Sequence, residues 1–348
     1  MPVTVVVGGQ YGSEGKGKVA HYLAKEMNAS VAIRCGGPNS GHTVIDPQGK
    51  AIIFQQLPTA SILPDITSVL CAGSYIDLDI LLSEIGIAGV DSNRLLIDPN
   101  AVMITADYKD NERKGELTKS IGSTGSGTGE AVLQRIRRQR ELVFAKDVKE
   151  LTQYVGDTKN SLRSQLDKNE RIIVEGTQGY GLSLIHSEHY PYVTSRDTTA
   201  SGFIAEVGLS PLDVDDIILT IRAFPIRVGG NSGPLVDEID WKTVTMEGGH
   251  SQLIEERTSV TKRVRRVARF DAEVVRKAIE INMPTRIVLN HLDYIYSSKI
   301  ENQRMVIKNF ISKVEASIKK PIEYLGFGPG IIEKNKNNLI SIGVAYGR

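Results

Sequence analysis

An apolar, β-branched run that leads directly into a glycine-rich segment is the feature that most constrains this fold. Residues 3–7 (VTVVV) favour a buried strand, and residues 8–18 (GGQYGSEGKGK) hold five glycines and two lysines. A glycine-rich turn between a strand and a helix presents backbone N–H groups at the helix N-terminus, where the helix dipole favours anions. The glycine spacing is related to the GxxxxGK[ST] phosphate-binding pattern but shifted from it. We therefore predict a phosphate-binding loop rather than a plain strand-to-helix turn with exposed lysines.

The rest of the chain alternates between β-branched runs and segments with helical periodicity. The predicted strands are residues 3–7, 31–35, 68–71, 171–175, 216–221 and 286–290, and the predicted helices are residues 15–27, 78–85, 148–166 and 272–282. Several of the strands are continuous apolar runs, which is typical of strands buried on both faces. This alternation predicts an α/β fold with a mostly parallel central sheet flanked by helices. Because no linker or shift in composition divides the sequence, we predict one domain over residues 1–348, with long functional loops.

The composition excludes several classes of protein. The chain has 42 Lys and Arg against 41 Asp and Glu, with 41% hydrophobic residues, so intrinsic disorder and a dedicated nucleic-acid binder are both disfavoured. Cys35 and Cys71 have no metal-ligand spacing and are expected to be reduced core thiols. We find no signal-peptide pattern and no apolar run of roughly 18 residues. The expected location is therefore cytoplasmic, without membrane or direct nucleic-acid contact.

The glycine-rich loop also carries a specific resemblance. Its sequence, GGQYGSEGKGK, resembles the GxQWGDEGKGK loop of the adenylosuccinate synthetases. Four further segments resemble motifs of that family in the same order: residues 37–43 (GPNSGHT; GxNAGHT), 121–127 (IGSTGSG; IGTTGxG), 175–179 (EGTQG; EGxQG) and 190–195 (YPYVTS). The resemblance covers nearly the whole chain. The chain is also compact, with a length similar to that of the shorter archaeal members.

The resemblance implies a ligase activity. The family condenses a 6-oxopurine nucleotide with L-aspartate and cleaves a nucleoside triphosphate. An acidic loop residue removes the proton from purine N1, the O6 oxyanion attacks the γ-phosphate, and the aspartate amine displaces the 6-phosphoryl group. Mg²⁺ and positive charge assist such phosphoryl chemistry. The resemblance also implies a homodimer.

At the position of that acid this chain has Ser13. A hydroxyl is a poor base and a weak Mg²⁺ ligand, but it is small and can donate or accept a hydrogen bond. Guanine carries a 2-amino group beside N1, which a carboxylate fitted to N1–H would crowd. The same substitution marks a viral branch of the family, the 2-aminoadenylosuccinate synthetases, which make N6-succino-2-amino-2′-deoxyadenylate from dGMP and aspartate. The segments 225–233 (PIRVGGNSG) and 260–266 (VTKRVRR) also resemble that branch, as does SRD at 195–197.

We therefore predict condensation of dGMP with L-aspartate, in the host cytoplasm if the chain is viral. An ordinary adenylosuccinate synthetase acting on IMP with GTP is the first alternative. A non-catalytic purine nucleotide sensor, which kept the pockets but lost the base, is the second.

The resemblance assigns roles residue by residue. It implies catalytic roles for Ser13, Lys16 and His42, and Mg²⁺ ligation by Ser13 and by the Gly41 carbonyl. The implied triphosphate-binding residues are Gly12, Glu14, Gly15, Lys16, Gly17, Lys18, Thr43, Arg265, Asn290, Asp293, Gly328 and Pro329. The implied substrate-binding residues are Ser13, Asn39, Ser123, Thr124, Arg138, Gln178, Thr194, Val228, Gly229, Thr258, Ser259, Val260, Thr261, Arg263 and Arg265.

Some of these assignments carry further expectations. Arg138, on a helix predicted to begin near Gly129, would reach the monophosphate across a dimer interface. Residues 258–261 would form the aspartate loop, and Arg263 and Arg265 would lie near the aspartate. The other five histidines, His21, His186, His189, His250 and His291, match no catalytic position of the family.

The base of the triphosphate is the part of the site where the motifs differ most. The family recognises the guanine of GTP through the motif TKLD, and this chain has NHLD at residues 290–293. Asp293 could still accept hydrogen bonds from guanine, whereas Phe327 would offer stacking in place of a polar contact. Together with the ATP use of the viral relatives, this favours ATP, with GTP as the alternative.

Overall fold

A central sheet of nine strands organises the part of the chain that the computed structural model describes, which comprises residues 2–115, 124–258, 262–296 and 303–335. In the order in which they pair, the strands are β16 (Ile331–Lys334), β15 (Tyr324–Phe327), β14 (Arg286–Asn290), β10 (Val214–Arg222), β1 (Val3–Gly8), β9 (Ile172–Glu175), β2 (Val31–Arg34), β5 (Thr67–Leu70) and β7 (Leu95–Ile97). All neighbouring pairs are parallel except β15 and β16. The predicted α/β fold with a mostly parallel sheet is confirmed.

Smaller sheets and the helices surround this sheet. The smaller sheets pair β3 (His42–Ile45) with β4 (Ala51–Phe54), β6 (Tyr75–Ile76) with β8 (Val102–Met103), and β11 (Ile226–Arg227) and β12 (Glu238–Ile239) with β13 (Arg266–Ala268). The helices in the described residues are α1 (Lys16–Glu26), α2 (Leu78–Ala88), α3 (Ala106–Lys114), α4 (Thr128–Ile136), α5 (Thr158–Asp167), α6 (Ala200–Val207), α7 (Trp241–Glu247), α8 (Ala272–Asn282) and α9 (Gln303–Ile318). No helix among them is both long and apolar enough to span a membrane.

The central strands are buried on both faces, which explains their continuous apolar sequences. In β1, Val5 and Val7 pack in one apolar cluster, and Val6 packs in another on the opposite face. Successive side chains of a strand point to opposite faces, so both faces of β1 must be covered. The two cysteines, Cys35 and Cys71, are free thiols in this core, as predicted.

The register of the parallel strands brings their carboxyl ends to one edge of the sheet. Gly8 at the end of β1 pairs with Thr220, Arg34 pairs with Glu175, and Arg222 pairs with Asn290. In open α/β sheets the loops that follow such strand ends form the ligand-binding crevice. The loops after β1, β2, β9, β10 and β14 therefore all leave the sheet on the side of the candidate site.

The structure corrects the predicted helix at residues 148–166. A short 3-10 helix covers Lys149–Leu151, and the α-helix begins only at Thr158. Between them Val155 forms a β-bridge with Ile97, and the Asp157 side chain caps α5 by accepting a hydrogen bond from the Asn160 N–H. Capping residues of this type determine where a helix begins. The apolar periodicity alone therefore placed the start of this helix too early in the sequence.

The structure also corrects the expected position of Arg138, and it makes His42 the first residue of strand β3. Helix α4 ends at Ile136, so Arg138 lies beyond the helix, where it is exposed and has a positive φ of 57°.

Candidate active site

The predicted phosphate loop connects β1 to α1, as the sequence indicated. The first-turn N–H groups of a helix have no partner within the helix and point towards such a loop. Gly15 has a φ of 88°, and a Cβ there would lie 2.7 Å from Asn290 Nδ2. A side chain at this position would therefore collide with β14, which explains the glycine. The Asn290 amide in turn donates a 2.7 Å hydrogen bond to the Glu14 carbonyl, which ties the loop to the sheet.

The loop is braced by its own acidic residue. The Glu14 carboxylate is fully buried and accepts hydrogen bonds from the N–H groups of Gln10 (3.1 Å) and Gly12 (2.8 Å). Its other oxygen lies 2.6 Å from the buried Lys16 ammonium. Lys16 is thus paired within the loop, and Glu14 holds the loop backbone in place.

A second group of predicted residues gathers beside the same loop. Lys18 donates a 2.9 Å hydrogen bond to the Gly328 carbonyl, and Asp293 accepts a 2.8 Å hydrogen bond from the Gly328 N–H. Burial lowers the pKa of Lys18 to about 8 and raises the pKa of Asp293. Pro329 follows on the surface. Lys18, Asn290, Asp293 and Gly328, predicted to bind the triphosphate, therefore lie close together.

Phe327 does not fit its predicted stacking role. Its side chain is 2% exposed and packs in the main apolar core of the protein. The prediction was wrong because Tyr324–Phe327 is a strand of the central sheet, which buries the Phe327 ring.

Ser13 is exposed at the tip of the phosphate loop and is held by two arginines. Its φ of 57° is left-handed, a conformation that non-glycine residues adopt only rarely. Arg222 Nη1 donates a 3.0 Å hydrogen bond to the Ser13 carbonyl, and Arg265 Nη1 donates to its hydroxyl. The hydroxyl of Ser13 therefore already has a positively charged partner.

Three residues beside Ser13 were missed by the sequence analysis. The fully buried Arg222 forms an ion pair with Glu256, and His291, for which we predicted no role, lies with Nδ1 4.0 Å from Glu256 Oε1. The only signal for Arg222 was a charged residue ending an otherwise apolar strand. Nothing in the sequence pointed to Glu256.

His42 packs against the start of α1, next to the phosphate loop. A Cβ on Gly17 would lie 2.7 Å from the His42 Cβ, so glycine allows this close approach. The His42 Nδ1 lies 2.5 Å from Glu175 Oε1. Glu175 also accepts hydrogen bonds from Arg34 (3.2 Å) and from the Thr59 N–H (2.8 Å), and is completely buried.

The environment keeps His42 neutral. Burial and then the charge of Arg34 lower the pKa of His42 to about 4, against the opposing hydrogen bond to Glu175. Burial alone would raise the pKa of Glu175, but its hydrogen bond with His42 and the Arg34 charge hold it at about 2. An ionised Glu175 accepts the proton on Nδ1, so Nε2 of the neutral ring carries the lone pair.

A cleft of about 300 Å³ opens on the other side of the phosphate loop. It brings together five of the predicted substrate-binding residues: Asn39, Thr124, Gln178, Thr194 and Val228. Gln178 links the cleft to the loop, since a Cβ on Gly12 would lie 3.8 Å from its Oε1. Tyr11, Arg227 and Ser232 also line this cleft, although the sequence analysis assigned them no role.

The remaining predicted residues are more dispersed. Thr258 and Arg263 close a turn, with the Thr258 N–H donating to the Arg263 carbonyl (2.9 Å), while the Arg263 side chain is exposed. Gly229 packs against the Val264 carbonyl, and Thr43 is half-buried in β3. Arg138 does not line the cleft. Ser123, Ser259, Val260 and Thr261 lie outside the described residues.

The donor set for a divalent cation is sparse. Within the described ranges no cluster of three His, Cys, Asp or Glu side chains could hold a metal ion. The predicted ligands, the Ser13 hydroxyl and the Gly41 carbonyl, are neutral oxygens. Mg²⁺ prefers oxygen ligands and is commonly held by one or two protein groups together with substrate phosphates. The residues present therefore fit Mg²⁺ only as an ion carried mainly by bound phosphates.

The chain is similar to one protein family along most of its length. The family described as "Adenylosuccinate synthetase" matches residues 5–143 and 142–302. An adenylosuccinate synthetase from Methanocaldococcus jannaschii is 39% identical over 336 residues, which cover 94% of each chain. One from Methanococcus vannielii is 36% identical over 340 residues, covering 94% of this chain and 97% of the relative.

Two solved structures resemble the chain over almost its whole length. The succinoaminodeoxyadenylate synthetase of cyanophage S-2L, bound to dGMP and to dATP as an energy donor, has a TM-score of 0.82 and 31% identity, covering 96% of this chain and 95% of that one. The adenylosuccinate synthetase of Plasmodium falciparum has a TM-score of 0.85 at 20% identity, covering 97% and 100%, and so shows the shared fold. The chain is a C–N bond-forming ligase. It belongs to the adenylosuccinate synthetase family.

Proposed function

We propose that this ligase condenses dGMP with L-aspartate, driven by a nucleoside triphosphate, to give N6-succino-2-amino-2′-deoxyadenylate. The observation that carries the proposal is Ser13, a neutral residue at the tip of the phosphate loop where the family resemblance expects a carboxylate. A serine leaves room beside N1 for the guanine 2-amino group, and its hydroxyl can hydrogen-bond to a purine edge. The likeness to the cyanophage enzyme, which was solved with dGMP, supports this choice.

The cleft is proposed to hold the nucleoside monophosphate. Its uncharged polar side chains, Asn39, Thr124, Gln178 and Thr194, can pair with the phosphate and the base without fixing a charge on either. The triphosphate is proposed to lie along the phosphate loop, with Lys18 and Asp293 towards its base. Ser13, between the two regions, then faces the atoms that react.

Mg²⁺ would be held by the triphosphate with the Ser13 hydroxyl and the Gly41 carbonyl, and when bound it supplies charge neutralisation for phosphoryl transfer. The protein's own residues supply further positive charge. Arg265 lies beside Ser13 and can turn to the aspartate carboxylate or the transferred phosphoryl group, because an arginine fork matches such anions.

His42 is proposed to stabilise the charge that develops on O6 and the transferred phosphoryl group. Its Nε2 is unprotonated in the free protein, because the ring is neutral and Nδ1 donates to Glu175. Anionic phosphates next to the ring favour its protonated form, so binding of the triphosphate raises the pKa of His42. Nε2 then becomes a hydrogen-bond donor once the substrates are in place.

The alternative substrate is IMP, which the similarity to the archaeal adenylosuccinate synthetases favours. Incubating the protein with aspartate, Mg²⁺, a triphosphate and either dGMP or IMP separates the two proposals. We expect dGMP to give the succinylated product faster, with phosphate release and mass spectrometry as the measurements. A faster reaction with IMP would contradict the proposal, and an absence of product with every purine monophosphate would indicate a non-catalytic nucleotide sensor.

ATP is the proposed energy donor. Asp293 already accepts the Gly328 N–H on Oδ1, which leaves less of its acceptor capacity for the two guanine N–H donors. We expect faster aspartate-dependent turnover with ATP than with GTP at equal concentration. Asp293→Asn is expected to change ATP turnover less than about threefold, because adenine offers no such donor pair. If the wild type instead prefers GTP and Asp293→Asn loses this preference, Asp293 recognises guanine.

A homodimer is proposed as the active assembly. Arg138 is exposed beyond the end of α4 and does not line the cleft of its own chain, which is consistent with a role towards a second copy. Because the side chain carries an arginine fork, a monophosphate of the partner is the proposed target.

A further inference from the structure

The acidic residue Glu256 lies between two arginines and a histidine near Ser13. Its carboxylate pairs with the fully buried Arg222, lies 3.8 Å from Arg265 Nη1, and lies 4.0 Å from His291 Nδ1. The Glu256 side chain is 16% exposed, so these contacts are largely shielded from solvent. Burial alone would raise the pKa of Glu256, but the neighbouring Arg222 holds it at about 2. Glu256 is therefore an anion among cations at neutral pH.

The two arginines that contact Glu256 are the two that hold Ser13. Arg222 donates to the Ser13 carbonyl and Arg265 to the Ser13 hydroxyl. Ser13 has a left-handed φ of 57°, which costs a non-glycine residue free energy unless its surroundings fix it. Glu256 orients both donors and offsets their mutual repulsion.

Glu256 also belongs to the base of the predicted aspartate loop. The Arg265 N–H donates a 2.9 Å hydrogen bond to the Glu256 carbonyl, and Arg257 forms an antiparallel bridge with Val264. The two segments that flank the predicted aspartate loop are thus paired with each other at its base. Through its ion pair with Arg222, Glu256 is also linked to the end of β10 and to the phosphate loop.

We propose that Glu256 is a positioning residue for the ligase reaction: through Arg222 and Arg265 it fixes Ser13 and couples the base of the predicted aspartate loop to the phosphate loop. Its partners Arg222 and Arg265 are not among the described residues that line the 300 Å³ cleft, so Glu256 acts through these arginines. The role concerns the orientation of Ser13 and applies with dGMP or with IMP as substrate.

The test compares Glu256→Gln with Glu247→Gln, in which the lost partner is the exposed Arg269. We expect Glu256→Gln to lower kcat about tenfold, which corresponds to ~1.4 kcal/mol, with each KM changed less than about threefold. The control is expected to keep wild-type kinetics. Turnover is measured with whichever of dGMP and IMP the wild type consumes.

A second background separates positioning from general structural damage. Glycine adopts the left-handed conformation without strain and has no hydroxyl, so Ser13→Gly removes the strain and the hydroxyl contact and leaves only the Arg222 contact to the carbonyl. In that background we expect Glu256→Gln to lower kcat less than about twofold, a loss of additivity that marks coupled residues. Equal losses in both backgrounds would overturn the proposal.

A ligand-free measurement makes the proposal independent of the substrate assignment. Hydrogen–deuterium exchange is expected to speed up at residues 9–15 in Glu256→Gln and to stay unchanged in Glu247→Gln. If the wild type turns over neither monophosphate, the proposed function fails, and this exchange measurement alone decides on Glu256. Unchanged exchange would overturn the positioning role. If Glu256→Gln does not fold, Glu256→Asp, which keeps the charge on a shorter side chain, is used and the same acceleration is expected.

Discussion

Replacing His42 with asparagine is expected to reduce kcat by roughly 10²–10⁴-fold while leaving the fold intact. The asparagine side-chain amide can still donate to Glu175 in place of Nδ1, which keeps the buried carboxylate paired. The substitution removes Nε2, the atom proposed to stabilise the developing charge. Steady-state kinetics with saturating substrates measures the loss, and His250→Asn is the matched control because His250 lies outside the candidate site. A His42→Asn variant with more than a tenth of wild-type kcat would contradict a catalytic role.

The same variant also tests the neutral state of His42. The pKa of about 4 in the folded protein is below the ordinary value of 6.5, so between these pH values the unfolded chain binds more protons. Wild-type stability should therefore fall as the pH is lowered from 6.5 towards 4. The free energy of unfolding of His42→Asn should fall less steeply, by up to ~1.4 kcal/mol per pH unit. Urea unfolding between pH 7.5 and 5 measures this difference, and parallel slopes would show that His42 is already protonated when folded.

The sequence predicted much of this architecture because the central strands are buried on both faces. Residues 286–290 and 272–282 match β14 and α8 at both ends, and β1 continues one residue beyond its predicted end. The predictions failed where local signals compete with tertiary contacts. The Asp157 cap shortened one predicted helix, and the pairing of β15 in the sheet buried Phe327.

The candidate site was predictable only where its residues lie in contiguous motifs. Asn39, Gln178 and Thr194 come from three such motifs, and the cleft brings them together. The ion pair of Arg222 and Glu256 joins residues 34 positions apart, and its partners carry no motif that marks them. Side-chain pairing of this kind depends on the register of β10 and on the path of the loop after α7, which periodicity does not encode. Charge at the end of an apolar strand is the one signal that could have drawn attention to Arg222.

Replacing Ser13 with aspartate is expected to shift the substrate preference from dGMP towards IMP by tenfold or more in the ratio of kcat/KM values, which corresponds to at least ~1.4 kcal/mol. The backbone permits the change, because Asp and Asn are among the non-glycine residues that tolerate the left-handed region. The new carboxylate supplies a base for N1 and a charged oxygen for Mg²⁺. It also crowds the 2-amino group of guanine, which IMP lacks.

Arg265 sets a limit on this gain. Its guanidinium donates to the Ser13 hydroxyl and would form an ion pair with an aspartate at the same position. The positive charge would lower the pKa of the new carboxylate and make it a weaker base. We therefore expect the preference to change chiefly through lost dGMP turnover, with a smaller absolute rise in IMP turnover.

Ser13→Asn separates the effect of charge from that of shape. Asparagine has nearly the size of aspartate and tolerates the same φ, but it is not a base and carries no charge. We expect Ser13→Asn to lose dGMP turnover through crowding without gaining IMP turnover, measured in competition assays with both nucleotides present. If Ser13→Asn and Ser13→Asp raise IMP turnover equally, the missing base at position 13 does not explain the preference. If neither variant changes the ratio, the purine is selected elsewhere in the cleft, and the assignment of dGMP loses its main support.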